Sequence, residues 1–460
     1  MKTDRKTICS ISTPQGVGAI AVIRISGDEA FTIAAKLFPT SFSFLKLKEN
    51  VCKYAEVFEN ERLIDQVMVV KFKAPHSYSG EDMVEISCHG SFYIQKKIIE
   101  LLLEYGCRLA MPGEFTMRAF LNGKLDLPQA EAVADLIDAE SESAHKLAIN
   151  QLRGNFSSKL KDLREQFIEL ASLLELELDF SEEDVQFADR KDLTNLVNHL
   201  KEEINSLIES FKLGNVIKNG IPVVIVGKPN VGKSTLLNAM LNDDRAIVSK
   251  IPGTTRDTIE DTFNIDGVTF RFIDTAGIRL AEDEVESYGI ERTFKAIEKA
   301  DIILYMVDIN KTTLKDVEEE LLYFENEIDF LNKRLIIVAN KIDELNEMPH
   351  HFSEWNDLDI VYISAKRKVN LNYIHEILIE SVNSLQITNQ TLLTNTRHYD
   401  SMIQIQRSLE HILEGIEANI STDLLAADIR TALNAIGTVT GEIANEDLLN
   451  HIFSKFCIGK

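Results

Sequence analysis

The chain has 460 residues, of which 45% are hydrophobic and 27% are charged, and its net charge is −24. This length predicts about three domains with separate cores, and the composition is typical of a soluble globular protein. The acidic balance argues against unaided tight binding to a polyanion, so a nucleic-acid substrate would require a local basic patch or a basic partner.

Membrane and secreted classes fit the sequence poorly. No apolar run approaches membrane-spanning length, and the N-terminus lacks a long apolar signal segment. The five cysteines are scattered and odd in number, which suits a reducing compartment. We therefore expect a cytoplasmic protein that does not associate with a membrane.

Residues 1 to about 119 have an α+β pattern. Asp28 is expected to cap a helix that ends near Leu37. Arg24 lies inside an apolar strand, where it must either meet a carboxylate or face a ligand. Glu85 alternates with apolar neighbours and is typical of a solvated strand face. Strands are predicted at Ile8–Ile11, 19–25, 67–72 and Met83–Ser87, and a helix at about 91–105.

From about residue 126 to 213 the pattern is helical. Pro128 suits a first helical position, and further helices are predicted at about 155–178 and 192–211. Acidic residues accumulate between Arg164 and Arg190, which favours a solvated helix end, with a docking site for a basic partner as the alternative. The segment from Leu213 to Gly220 is expected to act as a hinge.

The stretch after this segment predicts nucleotide binding. An apolar strand, 223–226, precedes Gly227-Lys-Pro-Asn-Val-Gly-Lys-Ser234, and a helix follows. This order of strand, G-x-x-x-x-G-K-[ST] loop and helix is that of a phosphate loop. Its glycines let backbone amides surround phosphate oxygens, Lys233 supplies a positive charge, and the Ser234 hydroxyl can bind magnesium.

Three later motifs identify guanine as the base. Asp274-Thr-Ala-Gly277 ends an apolar strand, so that Asp274 can reach magnesium through water and the Gly277 amide can sense the terminal phosphate. Asn340-Lys-Ile-Asp343 follows the strand 335–339, and its carboxylate can accept from two guanine N–H groups. Ser364-Ala-Lys366 follows the strand 360–363 and matches a loop that closes over guanine in GTPases. GTP is therefore the expected ligand.

The sequence also suggests how water is positioned for hydrolysis. Ile278 occupies the place after D-x-x-G where many small GTPases have glutamine, so another group must orient the water. The acidic segment 282–286 lies nearby. Asn230 offers an oxygen that could hold a monovalent cation, or it is only a turn residue. In the loop 252–257, Thr255 is the expected second magnesium hydroxyl.

The last part of the chain is helical again. Two apolar stripes follow residue 390, and Asn445 is a good cap for a final helix. These helices are too few to bury both stripes alone. They are expected to pack on the helices of 126–213, with the GTPase unit, signalled also by a hairpin at Asp266-Gly267, inserted between the two helical parts.

Taken together, these motifs resemble the MnmE (TrmE) family of tRNA-modification GTPases over the full length. The resemblance includes Arg24-Ile-Ser-Gly27, Gly80-Glu-Asp-Met-Val-Glu85, Pro112-Gly-Glu-Phe115, Arg118-Ala-Phe-Leu-Asn-Gly-Lys-Leu-Asp126 and the terminal Phe456-Cys-Ile-Gly-Lys460. The GTPase motifs are shared with other families, whereas the terminal motifs are more specific.

The resemblance implies a multidomain fold. It comprises an α+β N-terminal folate-binding and dimerisation domain at 1–119, a discontinuous α-helical domain at 120–215 and 381–460, and an inserted α/β P-loop GTPase domain at 216–380. The implied protein is a homodimer that works with an FAD-containing tRNA-modification partner of the MnmG (GidA) type in a hetero-oligomer. Together they add a carboxymethylaminomethyl-type group to carbon 5 of the wobble uridine of certain tRNAs.

The resemblance also implies cofactors and their residues. The carbon comes from 5,10-methylene-tetrahydrofolate, for which 5-formyl-tetrahydrofolate is an analogue, with contacts from Arg24, Glu85, Lys124 and Lys460. Mg²⁺ is held by Ser234 and Thr255, and K⁺ by Asn230, Ser249, Ile251 and Thr254. Glu286 is the water-orienting catalytic acid. The full set of GTP-binding residues is Asn230, Val231, Gly232, Lys233, Ser234, Thr235, Ser249, Thr254, Thr255, Asp274, Thr275, Ala276, Gly277, Asn340, Lys341, Asp343, Ser364 and Ala365.

Two other functions are compatible with the GTPase motifs. One is a ribosome-assembly or RNA-binding GTPase, against which the acidic balance and the lack of a basic, aromatic-interleaved patch count. The other is a nucleotide-switched scaffold without chemistry of its own. A change in tRNA nucleosides on loss of the protein would separate the scaffold from the modifying enzyme.

Overall fold

The computed structural model describes residues 6–14, 16–179, 190–241, 247–249, 261–273, 294–325, 333–345, 359–383, 392–418, 420–456 and 459. The chain forms two compact units. One comprises residues 1–137, 149–204 and 400–460, and the other comprises 138–148 and 205–399. Both units are discontinuous in sequence. The domain boundaries given above remain predictions.

The first unit contains a six-stranded sheet in the order β3-β4-β5-β2-β1-β6. Its pairs are antiparallel except β1 with β6. Alternation along the strands places apolar side chains such as Ile23, Val69 and Ile86 on one face, where α1 and α2 cover them. The strands are β1 (Ile8–Ile11), β2 (Gly18–Ser26), β3 (Lys53–Glu59), β4 (Arg62–Phe72), β5 (Met83–Gly90) and β6 (Arg108–Leu109), and the helices are α1 (Ala30–Ala35) and α2 (Phe92–Glu104).

Helices from both ends of the chain complete this unit. The long helix α6 packs on α12, so the predicted packing of the C-terminal helices on those of 126–213 is confirmed for this pair. The last helix, α13, packs instead on α3. Asn445 caps the last helix, as expected, because its side chain accepts from the Leu448 amide at 2.7 Å. The helices are α3 (Glu114–Leu121), α4 (Leu127–Asp138), α6 (Asn155–Asp179), α12 (Thr422–Thr440) and α13 (Glu446–Phe453). Three further helices, α5 (Glu142–Leu152), α7 (Arg190–Asn219) and α11 (Thr396–Glu417), each contribute residues to both units.

The second unit contains a seven-stranded sheet in the order β13-β12-β11-β7-β10-β9-β8. The five strands from β13 to β10 are parallel, and the hairpin β9–β10 and the pair β8–β9 are antiparallel. Helices cover both faces. The elements are β7 (Ile221–Val226), α8 (Lys233–Leu241), β8 (Ile247–Ser249), β9 (Asp261–Ile265), β10 (Val268–Phe272), β11 (Ile302–Asp308), α9 (Leu314–Glu325), β12 (Arg334–Asn340), β13 (Ile360–Ile363) and α10 (Leu371–Asn383).

The hairpin turn at Asp266-Gly267 is confirmed. Both residues have positive φ, 48° and 81°, as a type I′ turn requires. The hairpin also contacts the first turn of α5 and the residues just before it. The Ser143 hydroxyl donates to the Gly267 carbonyl at 3.0 Å, and the Asn264 amide donates to the Glu140 carbonyl at 3.4 Å. Residues far apart in sequence therefore belong to one compact unit.

Two local predictions are wrong. Asp28 does not cap α1, since the N-cap position is Glu29, whose backbone amide donates to the Thr7 hydroxyl at 3.1 Å. The expected hinge from Leu213 to Gly220 is helical as far as Asn219, because α7 continues through it. Gly220, with φ 83°, follows the helix and leads into β7.

Among the helices that the structure describes, none has both the length and the apolar character needed to cross a membrane.

Candidate functional site: a phosphate loop beside a guanine-type loop

The phosphate loop lies between β7 and α8, as predicted. All six residues of β7 are buried, which fixes the start of the loop at the carboxyl end of a central strand. A Cβ at Gly227 would lie 2.1 Å from the Met306 carbonyl oxygen, and one at Gly232 would lie 2.4 Å from the Asn340 amide nitrogen. Both positions therefore require glycine because the backbone passes so close to its neighbours.

Lys233 is held inside this loop. Its ammonium donates to the carbonyls of Gly227 at 2.6 Å and Lys228 at 2.8 Å. Burial lowers the pKa of Lys233 below its usual range. Ser234 and Thr235 are exposed in the first turn of α8, next to the loop amides. An anion bound here would meet one ammonium, a hydroxyl and the start of a helix.

Asn340 joins the phosphate loop to the predicted base-reading loop. It is 3% exposed at the end of β12. Its side-chain amide donates to the Val231 carbonyl at 2.8 Å, and its side-chain oxygen accepts from the Ala365 amide at 2.9 Å. Because both contacts are buried, Asn340 fixes the distance between the two loops rather than facing solvent.

Asp343 is fixed by the same loop. The Ser364 hydroxyl donates to one carboxylate oxygen of Asp343 at 2.6 Å, and Arg367 lies 3.5 Å from the other. The hydrogen bond from Ser364 holds the pKa of Asp343 below its usual range, with Arg367 and Lys366 acting in the same direction. The carboxylate is thus an ionised acceptor of fixed orientation. The structure brings Asn340, Asp343, Ser364 and Ala365 together, as the sequence predicted.

Sequence reasoning missed Asp308, which ends β11 beside this loop. Lys341 has a left-handed backbone, φ 72°, and its ammonium donates to Asp308 at 2.7 Å. Burial opposes ionisation of Asp308, but hydrogen bonds from Lys341 and Asn310 hold its pKa below its usual range. Asp308 therefore orients Lys341. The sequence could have indicated Asp308, because it ends a strand whose other residues are all apolar. In open α/β sheets, ligands bind at the carboxyl ends of the strands.

A second candidate site lies on the sheet of the first unit. Arg24 and Glu85 are directly paired across β2 and β5, and the guanidinium donates to one Glu85 oxygen at 2.7 and 3.0 Å. Arg24 also lies 5.2 Å from the ring centroid of Tyr78 and 5.6 Å from that of Phe115. Arg24 therefore meets a carboxylate, one of its two predicted roles, and Glu85 is not simply a solvated strand residue.

Two further segments approach this region. The loop that carries Tyr78 reaches Lys124 through Gly80, where a Cβ would lie 3.2 Å from the Lys124 Cγ. Gly459 lies beside the end of β1, where the Ser12 hydroxyl donates to the Gly459 carbonyl at 3.0 Å. In β1, Ser10 is the register partner of Arg24. Three predicted folate residues, Arg24, Glu85 and Lys124, thus lie on connected segments, and Gly459 lies beside the strand that pairs with β2.

A buried cluster of ionised side chains is connected to this region through Glu81. Glu114 is 2% exposed and accepts from Arg108 at 2.6 and 2.7 Å, from Arg118 at 2.9 Å and from the Met111 amide at 2.9 Å. Arg118 also donates to Glu81 at 2.9 Å. Burial opposes ionisation of Glu114, yet the bonds from Arg108 and Met111 hold its pKa below its usual range. The P-G-E-F and R-A-F-L motifs therefore meet in one cluster.

Several predicted site residues lie outside the part of the chain that the structure describes. Ser249 is seen only as the last residue of strand β8, and nothing is described of its side chain. The others are Ile251, Thr254, Thr255, Asp274, Thr275, Ala276, Gly277, Glu286 and Lys460.

Comparison with known families covers nearly the whole chain. The family model for the MnmE helical domain matches residues 127–457, and that for the GTP-binding protein TrmE N-terminus matches residues 7–124. The tRNA modification GTPase MnmE of Cytophaga hutchinsonii is 48% identical over 99% of this chain and 98% of the relative. That of Flavobacterium psychrophilum is 48% identical over 99% of each chain.

One solved structure, Era in complex with MgGDPNP and nucleotides 1506-1542 of 16S ribosomal RNA, is 30% identical to this chain. The match covers 41% of this chain and 66% of that one at a TM-score of 0.27, which carries no structural argument. The sequence relatives and the helical-domain match, by contrast, extend over most of the chain. The chain therefore belongs to the MnmE family of tRNA modification GTPases.

Proposed function

We propose that this protein is a GTP-hydrolysing tRNA-modification enzyme of the cytoplasm. With an FAD-containing partner protein, a homodimer of this chain adds a carboxymethylaminomethyl-type group to carbon 5 of the wobble uridine of certain tRNAs. The observation that carries the GTPase half is Asn340, which links the phosphate loop to the loop that orients Asp343. The modification half is supported by the family and by the Arg24 site.

GTP would lie across these two loops. The Asp343 carboxylate accepts from the ring N–H and the exocyclic amino group of guanine, a donor pair that adenine lacks. Lys233 exchanges its contacts with the Gly227 and Lys228 carbonyls for the outer phosphates. The exposed Ser234 hydroxyl, with Thr255, would hold Mg²⁺, which neutralises phosphate charge when bound. Glu286 is proposed to orient the attacking water.

A potassium ion is proposed beside Asn230, with Ser249, Ile251 and Thr254 as its other ligands. Asn230 lies in the phosphate loop with φ 64° and carries a side-chain oxygen that could bind a cation beside the expected phosphates. The bound cation would supply the positive charge that an arginine supplies in other GTPases. Since Ile278 stands where many small GTPases carry a water-orienting glutamine, this charge would be a main contribution to the rate.

We expect GTP hydrolysis in potassium salts to be about tenfold or more faster than in sodium salts, because the ion would stabilise transition-state charge. Steady-state phosphate release in matched chloride buffers measures this difference. In the Asn230→Gly variant, glycine adopts the positive φ without strain but offers no side-chain oxygen to the ion. The rate difference between potassium and sodium should therefore be smaller in this variant. Equal rates in the two salts would contradict the proposed potassium site.

The one-carbon donor 5,10-methylene-tetrahydrofolate is proposed to bind at the Arg24 site. The aromatic rings of Tyr78 and Phe115 provide an apolar surface, and Arg24 and Lys124 provide positive charge, which suits a flat heterocycle with an acidic tail. Glu85 would accept N–H groups of the heterocycle, and Lys460 would contribute from the tail. When bound there, the folate would supply the carbon that the modification attaches to uridine.

We expect Arg24→Ala to reduce affinity for 5-formyl-tetrahydrofolate by at least about tenfold, since a charge-assisted hydrogen bond is removed. Calorimetric titration of the full chain measures the affinity. Nucleoside analysis of tRNA incubated with the chain, its flavoprotein partner, GTP and methylene-tetrahydrofolate measures the modification, which should fall in parallel. GTP hydrolysis should stay at the wild-type rate.

Arg62→Ala is the matched control because Arg62 is an exposed arginine of β4 in the same sheet. It should leave both folate affinity and modification unchanged. If the folded wild-type chain binds no folate and alters no nucleoside, the modification half of the proposal is wrong and an RNA-binding GTPase becomes the better description.

A further inference from the structure

The first lysine of the phosphate loop makes a contact that the GTP-binding scheme does not use. Lys228 directly follows Gly227, and its ammonium lies 2.5 Å from Glu320, which is on α9. Its carbonyl oxygen accepts from Lys233. One residue thus connects the lysine that would meet the phosphates to a helix outside the nucleotide-binding motifs.

Glu320 is itself fixed by a hydrogen bond from the sheet. The hydroxyl of Tyr305, which is 2% exposed on the central strand β11, donates to the other Glu320 oxygen. Because each carboxylate oxygen has its own partner, the carboxylate cannot turn without breaking one of the two bonds. The rotamer entropy that weakens most surface ion pairs is therefore reduced for this one.

The helix that carries Glu320 also begins at a fixed point. The Thr313 amide and hydroxyl donate to Asp316 at 2.8 and 2.6 Å, and the Asp316 amide donates back to the Thr313 hydroxyl at 3.3 Å. This reciprocal arrangement is a capping box. Glu320 is one turn further along the same helix. Its position relative to β11 is therefore fixed by the capped start of the helix and by the hydrogen bond from Tyr305.

From this geometry we propose that Glu320 is a positioning residue for GTP binding, which fixes the start of the phosphate loop through Lys228. The inference rests on the proposed GTPase function and deepens it. The two lysines of the motif then have separate roles: the charge of Lys228 is neutralised by Glu320 and its backbone is held in place, whereas Lys233 is available to the phosphates.

If Glu320 and Lys228 only position the phosphate loop, their loss should change nucleotide affinity and not the rate of the hydrolysis step. Glu320→Gln and Lys228→Met should each weaken binding of a fluorescent GDP analogue by about two- to fivefold, the range for a partly exposed ion pair. KM for GTP should rise correspondingly while kcat stays unchanged. The double variant should bind no worse than either single variant, since both remove the same interaction. Lys228→Arg should retain wild-type affinity.

The control is Glu318→Gln on the same helix. Glu318 is exposed and lies two residues before Glu320, on a different face of the helix, so its loss should leave affinity unchanged. Thermal unfolding of each variant shows whether an effect is a general loss of stability. Tyr305→Phe, which frees one oxygen of Glu320, should weaken affinity less than Glu320→Gln.

Three outcomes would overturn the inference. Tighter binding by Glu320→Gln would mean that Glu320 withholds Lys228 from the phosphates, additive effects would mean that the two residues act separately, and wild-type affinity in both single variants would mean that the contact is irrelevant. Failure of the wild-type chain to bind GDP would instead refute the GTPase proposal itself, so the two failures are distinguishable.

Discussion

Asp343→Asn is expected to reduce the affinity for GTP by about a thousandfold to ten-thousandfold, because the amide presents a donor to the exocyclic amino group of guanine. Xanthine has a carbonyl where guanine has this amino group, and the asparagine amide can donate to that carbonyl. The variant should therefore bind xanthosine triphosphate better than GTP. Competition against a fluorescent nucleotide measures both affinities.

The surrounding hydrogen bonds should allow asparagine at position 343 without a change in the loop. The Ser364 hydroxyl donates to Asp343 and can donate equally to the asparagine oxygen, so the loop keeps its shape. Glu344→Gln, one residue further in the same turn, is the matched control and should leave GTP affinity unchanged. Equal loss of both nucleotides in Asp343→Asn would show that Asp343 supports the loop without reading the base.

Glu114→Ala is expected to destabilise the first unit by about 3–5 kcal/mol, the usual cost of removing one partner from a buried ion pair. Arg108 loses its two bonds to Glu114, and Arg118 loses Glu114 while keeping its bonds to Glu81 and the Lys6 carbonyl. The chain has one tryptophan, Trp355, which lies in the second unit's sequence range. Hydrogen exchange of peptides from β2 and α3 is therefore the better measure of this local stability.

The pH dependence has a defined sign. The folded-state pKa of Glu114 is lowered, so its contribution is complete above the ordinary glutamate pKa and is lost as pH falls through the lowered value. The difference in protection between wild type and Glu114→Ala should thus be full at neutral pH and shrink only in acid. Glu446→Ala, at an exposed first turn of α13, should not change protection. Similar losses in both variants would refute the role of the cluster.

Local sequence patterns predicted the parts of the fold that depend on neighbouring residues. The phosphate loop, the hairpin at Asp266-Gly267 and the cap at Asn445 follow from backbone conformations that few residue types adopt. For the hairpin and the cap the determining contacts are within a few residues, whereas Gly227 and Gly232 of the phosphate loop also lie against Met306 and Asn340.

Features that depend on distant residues could not be predicted in this way. The cap at Asp28 fails because a hydroxyl 22 residues upstream of Glu29 provides the acceptor instead. Asp308 orients Lys341 only because β11 and β12 are adjacent, and Lys228 meets Glu320 only across the packed helix. The charges are visible in the sequence, but their pairing is decided by strand order and packing.

The contact between the β9–β10 hairpin and the start of α5 bears on how this GTPase could be transplanted. A fragment cut at the apparent sequence limits of the nucleotide-binding part would leave behind residues 138–148, which belong to the same compact unit. The Gly267 carbonyl would lose the Ser143 hydroxyl, and Asn264 would lose the Glu140 carbonyl. A chimera between relatives should exchange both stretches together, so that this interface is inherited from a single parent.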